Sequence, residues 1–86
     1  MKIKYSSHFT GSYKKLPKEI KPEAENKEIL FRQNPFNSRL HTHKLHGKLK
    51  NLWSFSIDEK YRILFQFGKN KKEVIFLDIG AHDLYK

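Results

Sequence analysis

In the stretch Leu52-Trp53-Ser54-Phe55-Ser56-Ile57-Asp58-Glu59-Lys60-Tyr61-Arg62-Ile63-Leu64-Phe65-Gln66-Phe67, large apolar side chains recur at every second position from Trp53 to Ile57 and again from Tyr61 to Phe67. Successive residues of a strand face opposite ways, so this period predicts two strands, 53–57 and 61–67, joined at Asp58-Glu59-Lys60. Val74 to Ile79 repeats the pattern after a polar turn over Gly68-Lys69-Asn70-Lys71-Lys72. Together they predict an antiparallel meander whose odd-numbered residues, Phe55, Ile57, Ile63, Phe65, Ile75, Leu77 and Ile79 among them, face the core. A three-residue first turn pairs Ile57 with Tyr61 and sets Ser56 opposite Arg62. Ser54, Ser56, Arg62 and Gln66 then share the other face, which no helix of so short a chain is expected to cover. That face is the natural place for a binding site.

Upstream, Lys2-Ile3-Lys4-Tyr5 alternates and reads as a first strand with Ile3 and Tyr5 inward. Ser6 or Ser7 can cap a helix running to about Lys15. Pro17 and Pro22 are tolerable only in a first helical turn, so a second helix starts near one of them and ends at Asn34-Pro35. Ile20, Ala24, Lys27 and Phe31 share one of its faces, with Leu30 beside them. The predicted class is α+β: a short N-terminal strand and two helices on one face of a mainly antiparallel sheet, completed by the C-terminal meander.

A chain of 86 residues buries only roughly 60% of the surface its unfolded form exposes. One domain over 1–86 is expected, and a two-domain enzyme with a deep cleft is excluded. The formal charge of +9 points to an anionic partner, while 37% hydrophobic residues are too many for a disordered basic tail. Absence of cysteine removes disulfides, Cys-ligated zinc and thiol nucleophiles, and fits a reducing compartment. Met1 to Thr10 is too polar for a signal peptide, and no apolar run approaches a membrane span. A cytoplasmic protein without membrane contact is expected.

Three of the five histidines fall in His41-Thr42-His43-Lys44-Leu45-His46. The neighbouring Lys44, Lys48 and Lys50 would repel a cation and no carboxylate lies near, so neither a metal nor any other cofactor is expected. His41 and His46 read as parts of a solvated basic loop, and His8 as a solvent-facing residue at a helix start. His82 follows the last strand through Gly80-Ala81, at a strand end where a rigid scaffold can present it. Arg32, Arg39, Lys44, Lys48, Lys50 and Arg62, with Trp53, Tyr61 and Tyr85 interleaved, suit nucleic acid: cations neutralise phosphates and aromatic faces stack unpaired bases. By alternation, however, Trp53 and Tyr61 belong to the core side. No phosphate-binding loop or nucleophile elbow is present.

The element order, with Asn34-Pro35-Phe36, Thr42-His43-Lys44-Leu45-His46-Gly47-Lys48-Leu49, Leu52-Trp53-Ser54-Phe55-Ser56-Ile57, Tyr61-Arg62-Ile63-Leu64-Phe65 and Leu77-Asp78-Ile79-Gly80-Ala81-His82-Asp83, resembles the RelE/ParE superfamily of toxins, in its RelE and YafQ-like branch. The likeness spans the chain. It implies a toxin of a type II toxin–antitoxin system that cuts mRNA on the 70S ribosome and is neutralised by a cognate antitoxin protein. His43 matches the histidine before the Leu-x-Gly word of YafQ-like toxins, and His82 the histidine after the last strand. Arg62 matches the arginine near the scissile phosphate, and Tyr85 resembles the C-terminal aromatic that contacts the reacting nucleotide. Ser56 departs from the pattern, standing where YafQ-like toxins carry a histidine and RelE a lysine. Tyr85 follows His82 by three residues, where the YafQ-like aromatic follows by four.

Metal-free RNA cleavage needs a base for the 2′-OH, donors for the phosphorane and an acid for the 5′-oxygen. On this reading His43 and His82 share the proton transfers, Arg62 stabilises the transition state, and Arg39, Lys44, Lys48 and Lys50 hold RNA. Two other readings stay open: a ParE-like gyrase inhibitor of the same fold without RNase activity, and a non-catalytic RNA- or ribosome-binding module.

Overall fold

A computed structural model describes residues 1–49, 51–70 and 72–81. In chain order the elements are β1 (Lys2–Tyr5), α1 (Ser7–Lys14), α2 (Ile20–Gln33), a 3₁₀ turn (Ser38–Leu40), β2 (His43–Lys44), a second 3₁₀ turn (Gly47–Leu49), β3 (Trp53–Ser56), β4 (Tyr61–Phe67) and β5 (Glu73–Ala81). The strands form one sheet in the order β1-β5-β4-β3-β2, with β1 parallel to β5 and every other pair antiparallel. The α+β class, the two helices and the meander are therefore as expected. The short edge strand β2 is not, since a pair of residues is too brief to show a period. No helix among the described residues is long and apolar enough to cross a membrane.

Ser6 is the N-cap of α1: its Oγ accepts from the Phe9 amide at 3.0 Å and donates to the Leu77 carbonyl at 3.0 Å. One hydroxyl thus closes the helix and ties it to β5. Ser6→Ala should cost about 1–2 kcal/mol, which lowers the thermal midpoint of a chain this size by roughly 4–8 °C per kcal/mol. A thermal melt followed by circular dichroism checks this, and an unchanged midpoint would remove the tether from the account. In α2, Pro22 occupies the first turn, where its missing amide hydrogen costs nothing, and the chain leaves the helix at extended Asn34.

The core is a raft of phenylalanines. Phe31 of α2 is fully buried, stacking on Phe55 at 4.7 Å between centroids and meeting Phe65 and Phe76 edge-on at 5.0 and 5.5 Å. Such offset and edge-to-face contacts add to the value of the buried area.

Three expectations about facing are corrected. In β5 the buried residues are Val74, Phe76 and Ile79, not Ile75 and Leu77. A bulge causes the change: Leu64 pairs with Asp78 but Phe65 with Phe76, so Leu77 is an extra residue and the alternation reverses across it. Tyr5 is not inward but 45% exposed, because β1 is an edge strand. Its ring packs on Phe9 and Phe76 while its hydroxyl donates to Glu28 of α2. Burial, then the Glu28 carboxylate, push this phenol above its ordinary range and keep it a donor. Finally, the far face of the sheet is not open throughout, since Ser54 and Ser56 are both buried. Ser54 lies in register between His43 and Leu64, and Ser56 beside Arg62, so larger neighbours overhang each short side chain.

Candidate active site

The first hairpin places Arg62 as its sequence suggests. Asp58 accepts the amides of Lys60 at 2.8 Å and Tyr61 at 2.7 Å, which closes a three-residue turn. Ser56 then pairs directly with Arg62. The Arg62 guanidinium donates through Nη1 to Ser56 Oγ, and Gly80 occupies the facing position on β5. Arg62 is thereby held by Ser56, and among the described residues its guanidinium makes no other side-chain hydrogen bond.

Segment 37–44 forms the opposite wall. Asn37 Oδ1 accepts from the Arg39 amide at 2.9 Å, and the 3₁₀ turn it opens anchors itself through fully buried Leu40. His41 takes the left-handed conformation at φ 51°, reversing the chain into β2. His43 Nδ1 lies 3.0 Å from the His41 carbonyl oxygen. A carbonyl only accepts, so the Nδ1–H donates, and among the described residues Nε2 has no hydrogen-bond partner.

Since β2 pairs only with Ser54 and Trp53, the end of β3 beyond it has no strand partner on that side among the described residues. A cleft of about 610 Å³ opens at this notch. Arg39, Arg62 and Lys27 bring three cations to it, His41 and His43 two imidazoles, and Asp58 and Glu59 stand at the turn that closes one end. Cationic donors sharing a cleft with a histidine can hold a phosphate and exchange a proton next to it. Among the described residues, no three histidine or carboxylate side chains come together as a metal-ligand set.

Of the residues singled out in the sequence, the cleft gathers His43, Arg62 and Arg39. Lys44 does not line it, because the residue after His43 in a strand faces the other way. Lys48 is exposed on the second 3₁₀ turn, also away from the cleft. His82, Tyr85 and Lys50 lie outside the described residues. The segment read as a basic loop is instead two 3₁₀ turns flanking β2. His41, assigned above to a solvated loop, is a cleft residue, and so is Lys27. Lys27 carried a signal: it is the one cation in the apolar stripe Ile20, Ala24, Phe31. His8 is exposed as expected, yet its Nε2 lies 3.1 Å from Asp78 Oδ2.

No family model matches the sequence, and no curated relative does. Solved structures match closely in shape. A YoeB/ParE toxin from Agrobacterium tumefaciens superposes with a TM-score of 0.78 at 14% identity, covering 95% of this chain and 99% of that one. The YafQ of the E. coli DinJ-YafQ toxin-antitoxin complex gives 0.77 at 19% identity, covering 98% and 96%. The archaeal RelE-RelB complex from Pyrococcus horikoshii gives 0.75 at 15% identity, covering 96% of each chain. At these identities, with near-complete mutual coverage, the superpositions show a shared fold: the chain has the fold of these YoeB/ParE, YafQ and RelE structures.

Proposed function

We propose that this chain is the toxin of a toxin–antitoxin pair and a ribosome-dependent mRNA endoribonuclease of the cytoplasm. The observation that carries the reading is the notch beyond β2, where Arg62, pinned by Ser56, shares one cleft with His43, Arg39 and Lys27. Binding to gyrase or passive docking on RNA would not require a histidine in the same cleft as a fixed guanidinium. Similarity in fold to YafQ, itself seen in a toxin-antitoxin complex, supports the toxin assignment and an antitoxin partner. An acidic segment that folds on binding would complement a charge of +9 and associate quickly.

In this mechanism the 2′-oxygen attacks the adjacent phosphorus, its proton passing to one histidine, while the 5′-oxygen leaves with a proton from the other. His43 and His82 fill these roles, and the products are a 2′,3′-cyclic phosphate and a 5′-hydroxyl. Arg62 faces the charge that grows on the phosphoryl oxygens, without a metal. Ser56 supplies no proton: its hydroxyl orients the guanidinium. Tyr85 stacks on the reacting nucleotide, and Arg39, Lys44, Lys48 and Lys50 contact the RNA backbone.

Mapping message 5′ ends after brief induction tests the reading, using a reporter with and without its start codon. Cuts confined to the translated reporter are expected. Cuts in both reporters would remove the ribosome from the account. No cuts with altered plasmid supercoiling would overturn it in favour of gyrase inhibition, and neither effect in favour of binding alone.

A further inference from the structure

On the other side of β2 from the cleft lies a second hollow, of about 350 Å³. There Trp53 and Phe67 are only half-buried, whereas Phe55 and Phe65 on the same strands are fully covered. Their rings meet edge-on at 5.3 Å, and Phe36, 54% exposed, lies against both at 5.7 and 6.0 Å. Lys44, Lys69, Asn51 and Gln66 line the hollow beside Trp53 and Phe67. No carboxylate among the described residues lines the hollow.

We infer that this hollow is a docking surface for single-stranded RNA, with a base on the aromatic surface of Trp53 and Phe67, which exposed Phe36 extends by packing against both, and the flanking phosphates on Lys44 and Lys69. Aromatic edges and faces beside cations are the chemistry of sequence-tolerant single-strand binding. Side-chain amides, each both donor and acceptor, suit base edges better than an acidic peptide, which needs only cations. His43 and Lys44 are consecutive residues on opposite sides of a strand too short to separate them. An RNA strand crossing β2 therefore reaches both cleft and hollow. The inference rests on RNA being the partner, and not on its being cut.

Trp53 is the only tryptophan in the chain, so its emission reports the hollow directly. The purified protein is titrated with a 2′-O-methyl oligouridylate octamer, which lacks the attacking hydroxyl, with a duplex RNA of the same length, and with a polyglutamate peptide. The octamer should quench Trp53 saturably. Phe36→Ala should weaken that binding about tenfold, as loss of one stacking partner does. Lys44→Gln with Lys69→Gln should lower the slope of log affinity against log salt by about 1.4, the share of two phosphate contacts on a single strand. Circular dichroism checks that these surface variants stay folded. Octamer binding that leaves Trp53 emission unchanged, or is unaltered in both variants, would overturn the inference. So would equal quenching by the duplex, or quenching by polyglutamate alone, which would make the hollow a protein-binding surface. Quenching that persists where no message is cut would support this surface and overturn the nuclease reading.

Discussion

In a purified translating system, Arg62→Ala should, on the proposed mechanism, cut message about 100- to 1,000-fold more slowly than the parent chain, the loss that follows removal of a preorganised donor from a transition-state oxyanion. The fall should appear in the single-turnover rate, with ribosome affinity changed far less, because the lysines proposed to hold RNA are untouched. Ser56→Ala should give a smaller fall in the same rate, since it frees the guanidinium without deleting it. Arg62→Lys should not restore full rate: an ammonium keeps the charge but loses the planar fork that serves Ser56 and a phosphate together. His43→Ala and His82→Ala should flatten opposite limbs of the pH–rate profile. A full-rate Arg62→Ala enzyme would remove the cleft from the chemistry.

Phe31→Ala should bring the chain to the edge of unfolding. The side chain is fully buried and touches three other phenylalanines, so its loss opens a cavity beneath α2 at a cost of about 3–5 kcal/mol. A domain of 86 residues has a total stability of only about 4–13 kcal/mol. The urea midpoint should fall by roughly 2 M or more at the m-values usual for small domains. A midpoint shifted by a few tenths of a molar would mean that the neighbouring rings close over the gap. Exposed Ile29, two positions earlier on the same helix, provides the contrast: Ile29→Ala should leave the midpoint nearly where it was.

Much of this architecture is legible in the residues, because alternation and capping are local. The Ser56–Arg62 pairing follows from counting across Asp58-Glu59-Lys60, and the α1 cap from Ser6. What local pattern misses is long-range. The bulge at Leu77 shows only once β5 is set against β4, and β2 exists only because β3 lies beside it. The site divides in the same way. His43, Arg39 and Arg62 stand out by residue type, whereas His41 enters the cleft through a left-handed backbone turn that nothing in its side chain announces. Lys44, adjacent to His43, goes to the opposite hollow through the same alternation that served well for β3 and β4. The difference is that a two-residue strand offers no period from which to read it.

The extra residue in β5 has a consequence for how core and cleft are kept apart. Before Leu77, the strand puts Val74 and Phe76 under the helices; after it, Ile79 is buried and side-chain-less Gly80 faces Arg62. In an uninterrupted ladder, the alternation that buries Val74 and Phe76 would turn Asp78 toward the phenylalanines and Ile79 toward the guanidinium. By resetting the phase, one unpaired residue lets the first half of the strand be selected for packing and the second for room around a charge. Substitutions on one side of that reset can then accumulate without being read on the other.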